Sequence, residues 1–300
     1  MTMEYRKLGH SDLLVSRIGF GAMSLQPDLH PEKLVLSALA AGINFFDTAN
    51  IYQHGENEII LGKALRGRRK EVILASKVGN VWKEDGSGLD WNPRKTHILE
   101  SIDATLQRLQ TDYLDLYQLH GGTMEDPIDE TIDAFETLVA AGKIRYYGIS
   151  SIRPAVIAAW IKRSNMTSVM MQYSLLDRRP EESCLAALEA AGVGVIARGT
   201  VAGGLLAGKA SRTYLEQAPA TVEKAASLLR SLAGDEPASA VAISFALQQP
   251  ANTTALVGMR MPEHLEEALQ ALTFRFPGTT LEEIRAAIPA KHYGSPPARI

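Results

Sequence analysis

The stretch Asn44-Phe45-Phe46-Asp47-Thr48-Ala49-Asn50-Ile51-Tyr52 joins a short apolar run to a carboxylate and then to a phenol. A phenol is a good general acid when a nearby cation lowers its pKa from the usual value of about 10. A lysine, Lys77, ends the next strand-like run, and a histidine, His120, follows the run after that. Acid, base, cation and imidazole therefore stand at the ends of successive strands, which is where the active site of a (β/α)8 barrel lies.

The rest of the chain alternates between strand-like and helical patterns. Eight segments read as buried strands: Arg17–Phe20, Asn44–Phe46, Val72–Ser76, Tyr113–Leu119, Arg145–Ile149, Ser168–Met171, Val193–Ala197 and Thr254–Val257. Eight segments between or after them read as helices: Pro31–Ala41, Asn57–Arg66, Pro93–Leu109, Pro127–Ala141, Arg153–Ser164, Glu181–Ala191, Ser239–Gln248 and Pro262–Ala271. Sustained alternation predicts an α/β fold with a parallel sheet, and eight units predict a closed (β/α)8 TIM barrel formed by residues 1–300 as one domain.

Three segments fall outside this alternation. Glu4–Ser16 reads as an N-terminal hairpin around a Gly- and Asp-containing turn. Thr200–Ala238 is a long loop after the seventh strand, with its own helix near Val222–Leu232, and Phe276–Ile300 is a C-terminal tail with a short helix at Leu281–Ile288. Long loops at the carboxyl face of a barrel usually contribute to function.

Composition narrows the kind of protein. The chain has 300 residues, a formal charge of −3, 46% hydrophobic residues and 22% charged residues, so nothing favours binding to nucleic acid or to an anionic membrane. It contains no apolar run of the ~18 residues that a membrane span needs, and no apolar signal core near Met1. The single cysteine, Cys184, excludes an internal disulfide and a cysteine metal cluster. A cytoplasmic enzyme fits these features best.

Five motifs in order resemble the aldo-keto reductases. They are Asp47-Thr48-Ala49-x-x-Tyr52, Ser76-Lys77, Leu119-His120, Gly148-Ile149-Ser150 and Gln172. The similarity extends from the N-terminal hairpin to about Ala271, and the ordered set is specific where a single motif would not be. The resemblance implies a (β/α)8 barrel that reduces carbonyl groups with NADPH.

The resemblance also implies a catalytic set of Asp47, Tyr52, Lys77 and His120. Tyr52 would donate a proton to the carbonyl oxygen, and Lys77 would favour that donation, because a charge at about 4 Å is worth roughly 4 kcal/mol at a dielectric near 20. Asp47 would keep Lys77 charged, and His120 would orient the carbonyl. The alternatives are that Tyr52 only packs, that Lys77 extends to solvent, that Asp47 caps a turn and that His120 is satisfied by backbone.

The nicotinamide end of the cofactor is expected at the strand ends. By resemblance, Ser150, Ser151 and Gln172 contact the carboxamide, and Asp47 contacts the cofactor as well. Gly21 and Met23 would let the nicotinamide approach the first strand. Arg198 occupies the position where many family members have a stacking aromatic, and a planar guanidinium can also stack. The alternative is that Arg198 pairs with an acidic residue of a loop.

The rest of the cofactor is expected along two further segments. Gly199–Lys209 resembles the family's pyrophosphate belt, with contacts at Gly199, Val201, Gly203, Leu205 and Lys209. It is not a P-loop, because Ala210 replaces the Ser or Thr that binds Mg²⁺.

The segment Gly258–Glu267 resembles the adenosine 2′-phosphate site, with Arg260 on the phosphate, Gly258 and His264 beside it, and Glu267 at the adenine. Ala268 replaces a common asparagine, which leaves one adenine contact open. The alternative is that these charges form a solvated helix face.

The substrate pocket is the least determined part of the site. Met23 and Trp82 are candidate apolar walls beside Tyr52 and His120. The loop Asp85–Trp91 and the tail near His292-Tyr293 could also line the pocket. The alternative for Trp82 is a loop anchor that touches no ligand.

The leading hypothesis is an NADP-dependent oxidoreductase that reduces a small aldehyde or ketone. One alternative is an NADPH-binding regulatory or interaction subunit with little turnover, and another is a barrel lyase or isomerase without nicotinamide. No metal is expected, because the seven histidines show no spacing typical of ligands. The natural substrate, the preferred direction and the oligomeric state stay open.

Overall fold

The computed structural model of the chain describes residues 3–294, and its centre is a closed barrel of eight parallel strands. The strands in this part of the chain are β1 (Tyr5–Lys7), β2 (Leu14–Ser16), β3 (Ile18–Gly21), β4 (Phe45–Asp47), β5 (Ile73–Val78), β6 (Asn80–Trp82), β7 (Leu89–Trp91), β8 (Leu114–Leu119), β9 (Ile144–Ser150), β10 (Ser168–Gln172), β11 (Gly194–Arg198) and β12 (Asn252–Gly258). The barrel runs β3-β4-β5-β8-β9-β10-β11-β12 and closes where β12 pairs with β3. The predicted TIM barrel is confirmed.

Helices connect the barrel strands and cover them. Those within residues 3–294 are α1 (Pro31–Ala40), α2 (Glu56–Ala64), α3 (Lys95–Leu109), α4 (Ile128–Ala140), α5 (Pro154–Arg163), α6 (Cys184–Ala190), α7 (Pro219–Ala233), α8 (Ala238–Leu247), α9 (Pro262–Gln270) and α10 (Thr280–Ala287). All eight predicted barrel helices are present. The predicted start of α6 at Glu181 is wrong, because Ser183 has a non-helical φ of −157° and the preceding residues form a separate 3₁₀ turn.

The N-terminal hairpin β1–β2, which was predicted from the sequence, closes one end of the barrel. Leu8, Leu13 and Val15 are buried in a cluster with inward-facing strand residues. Those strand residues are Phe45, Ala75, Leu116, Met170, Ile196 and Leu256. Because this apolar plug lies at the amino ends of the strands, the site can only open at their carboxyl ends.

Two loops contain structure of their own. The helix expected in Thr200–Ala238 is α7, and the helix expected in the tail is α10. The loop after β5 contains an antiparallel hairpin, β6–β7, which the sequence did not predict; it pairs Asn80 with Trp91 and Trp82 with Leu89. The last part of the predicted tail, residues 295–300, lies outside the described residues.

Candidate active site

Lys77 joins the predicted catalytic side chains at the carboxyl ends of β4 and β5. Its Nζ donates to Asp47 Oδ2 at 2.5 Å and to the Thr48 carbonyl at 2.8 Å. It also donates to the Tyr52 hydroxyl at 3.4 Å. An ammonium has three N–H donors, so all three are used. The Lys77 side chain is only 1% exposed, which excludes the alternative in which it extends to solvent.

The charge of Lys77 is maintained by its neighbours. Burial lowers the pKa of Lys77, but attraction to Asp47 and Tyr52 outweighs burial, and the pKa stands above its ordinary value of 10.5. Asp47 is held in turn by Gln118 on the adjacent strand β8, whose Nε2 donates to Asp47 Oδ1 at 3.3 Å. The two carboxylate oxygens of Asp47 are therefore engaged by Lys77 and Gln118.

His120 follows β8 and faces Tyr52, with the two ring centroids 5.9 Å apart in an edge-on arrangement. Its Nδ1 is buried and has no hydrogen-bond partner among residues 3–294. Burial, followed by the charges of Lys77 and Arg198, holds the pKa of His120 well below 6.5. The imidazole is therefore neutral near pH 7, and the alternative of a ring fully satisfied by backbone does not hold.

The turn that carries Tyr52 has an unusual backbone. Gln53 and His54 have left-handed φ values of 50° and 55°, a conformation that is costly for residues other than glycine. Gln53 Nε2 donates to the Leu25 carbonyl at 2.7 Å, and the His54 ring stacks on Trp82 at 4.0 Å. Trp82 Nε1 donates to the Ile51 carbonyl at 3.0 Å, so Trp82 anchors this turn whether or not it also touches a substrate.

A buried carboxylate, Glu58, supports the site from behind. It accepts hydrogen bonds from Ser76 Oγ and from Arg108 Nε, both at 2.6 Å. A Cβ on Gly55 would lie 2.9 Å from Arg108 Cδ, so Arg108 packs directly under the Tyr52 turn. Burial raises the pKa of Glu58, and the Arg108 charge opposes that shift. Glu58 thereby links the strand that carries Lys77 to the turn that carries Tyr52.

Several buried polar atoms near the carboxyl ends of the strands have no hydrogen-bond partner among residues 3–294. They include Nδ1 of His120, Oε1 of Gln118, Oε1 of Gln172 and Oδ1 of Asn50. Burying a polar group without a hydrogen bond is costly, so a ligand with polar groups fits this face better than an apolar one. Asn50 lies inside the motif quoted first but was not among the predicted site residues.

The three residues predicted to contact the carboxamide have different surroundings. Gln172 ends β10, and its Nε2 donates to the Tyr214 hydroxyl at 3.4 Å. Ser150 ends β9 and is buried. Ser151 Oγ instead accepts from the Arg153 backbone N–H at 3.2 Å, so at least one role of Ser151 is to shape the turn before α5.

Arg198 ends β11, and its guanidinium has no hydrogen bond or ion pair with any residue between 3 and 294. The alternative of an ion pair with a loop acid is therefore not seen; the nearby Asp177 pairs with Arg179 at 2.7 Å. Burial lowers the pKa of Arg198, against the attraction of Tyr52 and Tyr214. The guanidinium remains available for a ligand.

The predicted pyrophosphate belt forms a 3₁₀ segment at Ala202–Ala207, beside the end of β11. Gly203 and Gly204 have φ values of 66° and 94°, and the space beside the Gly203 Cα is open. Lys209 Nζ donates to the Gly203 carbonyl at 2.9 Å. Gly199 also has a left-handed φ, whereas Val201 is half-buried and Leu205 is buried.

The predicted 2′-phosphate site lies where β12 leads into α9. Arg260 is exposed, and its guanidinium has no hydrogen bond within residues 3–294. Its backbone N–H donates to His264 Nδ1 at 3.3 Å. Glu267 accepts a hydrogen bond from Ser239 Oγ at 2.6 Å, so one of its oxygens is already used.

The remaining predicted residues are Gly21 and Met23 at the end of β3, Gly258 at the end of β12 and Tyr293 in the tail. Gly258 and Gly21 are close-packed: a Cβ on Gly258 would lie 3.1 Å from Ser24 Oγ, and one on Gly21 would lie 3.1 Å from the Val257 carbonyl. Met23 is 61% exposed, which suits a wall of an open pocket. Tyr293, in the tail, packs on Arg179 rather than on Tyr52, with its ring centroid 5.4 Å from that guanidinium.

Residues 3–294 contain neither a helix that could span a membrane nor a cluster of metal ligands. None of the helices there combines the length and the apolar character that crossing a membrane requires. Over the same residues, no group of three or more His, Cys, Asp or Glu side chains is arranged to hold a metal ion.

A closed parallel barrel that buries an ion-paired lysine against a tyrosine hydroxyl at its strand ends defines a TIM-barrel oxidoreductase. The chain belongs to the aldo/keto reductase family, whose sequence model matches residues 17–289. This match confirms the resemblance inferred from the motifs. Members of the family act on small carbonyl compounds.

Similar proteins cover nearly the whole chain. YqkF of Bacillus subtilis, described as an uncharacterized oxidoreductase, is 46% identical over 294 residues and 95% of each chain. The aldo-keto reductase YhdN of the same organism is 32% identical over 297 residues, which is 90% of this chain and 89% of YhdN. The solved holo form of aldo-keto reductase AKR11C1 from Bacillus halodurans has a TM-score of 0.91 and 44% identity, covering 98% of this chain and 99% of that one.

Proposed function

We propose that this protein reduces an aldehyde or ketone to an alcohol with NADPH, and that Tyr52 is the proton donor. The observation that carries the proposal is the buried contact of Lys77 Nζ with both the Asp47 carboxylate and the Tyr52 hydroxyl. When the Tyr52 hydroxyl gives up its proton, negative charge forms on an oxygen that already lies 3.4 Å from an ammonium. A preorganised charge of this kind stabilises the transition state at little reorganisation cost.

The reduction of a carbonyl group requires one hydride and one proton. Bound NADPH would supply the hydride that adds to the carbonyl carbon. Tyr52 donates its proton to the carbonyl oxygen, which completes the alcohol. Neutral His120, 5.9 Å from the Tyr52 ring centre, can donate an N–H to the same oxygen and so fix the direction of the carbonyl.

Several residues fit a nicotinamide cofactor. The unpaired Gln172 Oε1 can accept from a carboxamide N–H, and the unpaired Arg198 guanidinium offers a planar face. Arg260 offers an exposed cation at the start of α9, next to the free N–H groups of the helix. The holo form of the similar AKR11C1 supports a bound cofactor. The choice of NADPH over NADH rests on the placement of Arg260.

The proposal is tested with Tyr52→Phe, which removes only the hydroxyl. NADPH oxidation would be followed over a panel of aldehydes, ketones and sugars, and NADPH binding would be titrated in parallel. We expect kcat to fall by at least ~100-fold, the usual size of a general-acid effect, while the Kd for NADPH stays close to that of the wild type. Turnover near the wild-type level in this variant would remove Tyr52 from the role of proton donor.

The same panel separates the alternatives. NADPH binding with negligible turnover of every carbonyl by the wild type would favour a regulatory or interaction subunit. Failure of the wild type to bind any nicotinamide cofactor would favour a lyase or isomerase.

A further inference from the structure

The Gln172 amide is held on one side only. Its Nε2 donates to the Tyr214 hydroxyl at 3.4 Å, whereas its Oε1 is buried without a partner among residues 3–294. The two ends of an amide have nearly the same shape but opposite hydrogen-bonding character. With Nε2 engaged by Tyr214, Oε1 is the end of the amide that is left to accept from a ligand.

Tyr214 belongs to the long loop after β11 and reaches Gln172 from a tight two-residue hairpin. Tyr214 and Gln217 exchange backbone hydrogen bonds of 3.1 and 2.8 Å. The two residues between them, Leu215 and Glu216, have φ values of 45° and 63°. Neither is glycine, so this backbone is strained. Such strain persists where the surrounding structure holds it in place, and here Tyr214, which contacts Gln172, directly precedes the two strained residues.

The surroundings of Tyr214 keep its hydroxyl protonated. Burial and the Asp177 charge raise the pKa of Tyr214, against the charges of Arg198 and Arg179. A neutral phenol oxygen can accept the Gln172 N–H. The contact joins residues 42 positions apart, between the carboxyl end of β10 and the loop after β11.

On the basis of the proposed function, we propose that Tyr214 is a positioning residue for cofactor recognition. By accepting from Gln172 Nε2, it turns Gln172 Oε1 toward the site, where that oxygen accepts an N–H from the nicotinamide carboxamide. A cofactor whose carboxamide is replaced by an acetyl group has no such N–H. Tyr214 should therefore contribute to binding of NADP⁺ but not to binding of the 3-acetylpyridine analogue of NADP⁺.

The test measures the Kd of each dinucleotide by quenching of protein fluorescence, which needs no turnover. Tyr214→Phe should weaken NADP⁺ by about 3- to 10-fold, the size of one neutral hydrogen bond, and leave the acetyl analogue unchanged. Tyr5→Phe is the matched control, because it removes a tyrosine hydroxyl that donates to the Gly42 carbonyl in the N-terminal hairpin region. It should change neither Kd.

A second variant tests the same contact from its other side. Gln172→Ala should also weaken NADP⁺ and spare the analogue, and adding Tyr214→Phe to it should have no further effect. Equal weakening of both dinucleotides, additive effects in the double variant, or no effect of Tyr214→Phe would each overturn the inference. If the wild type binds neither NADP⁺ nor NAD⁺, the proposed function itself fails, whereas wild-type binding with an unselective Tyr214→Phe refutes only the role of Tyr214.

Discussion

At the scale of single residues, Lys77 shows how a buried charge is tolerated. An unpaired ammonium in an apolar interior is very costly, but each N–H of Lys77 has an acceptor: Asp47, the Thr48 carbonyl and Tyr52. Removing one partner of a buried ion pair typically costs several kcal/mol. The ion pair therefore stabilises the native arrangement only as a complete set, which is also the arrangement that supports the proposed chemistry.

His120 should make stability depend on pH. The pKa of His120 in the folded state lies well below 6.5. Between that lowered pKa and the ordinary pKa of the unfolded chain, the unfolded chain binds a proton that the folded protein does not. The free energy of unfolding should therefore fall as the pH falls through 6.5. For this one group the loss between pH 7.5 and 5.5 is at most about 1.4 kcal/mol.

Urea unfolding of the wild type and of His120→Asn at those two pH values measures this contribution. The variant should lose less stability on acidification than the wild type. His30→Asn, which changes an exposed side chain outside the candidate site, is the control and should show the pH dependence of the wild type. An identical pH dependence in His120→Asn would contradict a neutral, buried imidazole.

Arg260 should decide the preference between cofactors. NADPH differs from NADH by one phosphate, and the exposed Arg260 guanidinium at the start of α9 is free to meet it. Because a hydrogen bond to a charged group is worth about 1.5–3 kcal/mol, Arg260→Ala should weaken NADPH by roughly 10- to 150-fold. NADH should be nearly unaffected, and the loss should shrink at high salt.

Fluorescence titration of both cofactors checks this prediction. Equal weakening of NADPH and NADH would assign Arg260 to the fold or the adenine pocket. No weakening of either would return it to a solvated helix face.

At the scale of elements, the turns around the site are more strained than the barrel. The segment after Tyr52 has two consecutive non-glycine residues with left-handed φ, and the Tyr214–Gln217 hairpin has two more. Regular strands and helices need no such backbone. Strain is thus concentrated in the loops at the carboxyl face, where the candidate site lies, which is the usual place for it.

The backbone strain of the Tyr214–Gln217 hairpin can be relieved by substitution of its two central residues. Two central residues with positive φ match a type I′ turn, for which Asn-Gly is preferred. Replacing Leu215-Glu216 with Asn-Gly should raise the free energy of unfolding by about 1 kcal/mol or more and leave the Kd for NADP⁺ unchanged, because Tyr214 stays in place. Urea unfolding measures the gain. Glu216→Val is the opposing control and should lower the free energy of unfolding, since a β-branched residue tolerates positive φ poorly. A destabilised Asn-Gly variant would show that contacts of the native side chains outweigh the strain.

At the scale of the whole molecule, the two ends of the barrel have separate tasks. The hairpin plug of Leu8, Leu13 and Val15 fills the amino end with apolar side chains. The polar side chains of the candidate site gather at the carboxyl end, so changes in the plug should affect stability far more than catalysis. The further prediction that residues 1–300 form one domain stays a prediction.

Leu13→Ala tests this separation. Leu13 is 2% exposed, so truncating it should lower the free energy of unfolding by about 2–5 kcal/mol while KM and kcat stay near their wild-type values at a temperature where the variant is folded. The neighbouring Leu14 is 58% exposed, and Leu14→Ala should change stability by only about 0.5 kcal/mol or less. A large loss of kcat in folded Leu13→Ala would show that the two ends are coupled.

The sequence by itself determined the architecture, and it predicted the four polar side chains of the proposed catalytic set, which the structure brings together. Strand and helix patterns are local, and their alternation implies a parallel barrel, so the eight strands could be placed from the chain alone. Once they are parallel, side chains at their carboxyl ends must meet. That brings Asp47, Lys77 and His120 together, with Tyr52 in the turn after β4. The hairpin β6–β7 escaped prediction because its strands have only three residues each.

Only the tertiary structure decided which polar atoms are satisfied. Within residues 3–294, the Arg198 guanidinium has no ion pair and Gln172 Oε1 has no partner, whereas Tyr214 reaches Gln172 Nε2. All three facts depend on how segments distant in the chain meet once the barrel has closed. The support of the Tyr52 turn by Glu58 and Arg108 is a contact of the same kind, across 50 positions. The periodicity of a sequence indicates which face of a helix or strand is buried. It does not indicate which residues contact that face, because those contacts depend on how separate elements pack together.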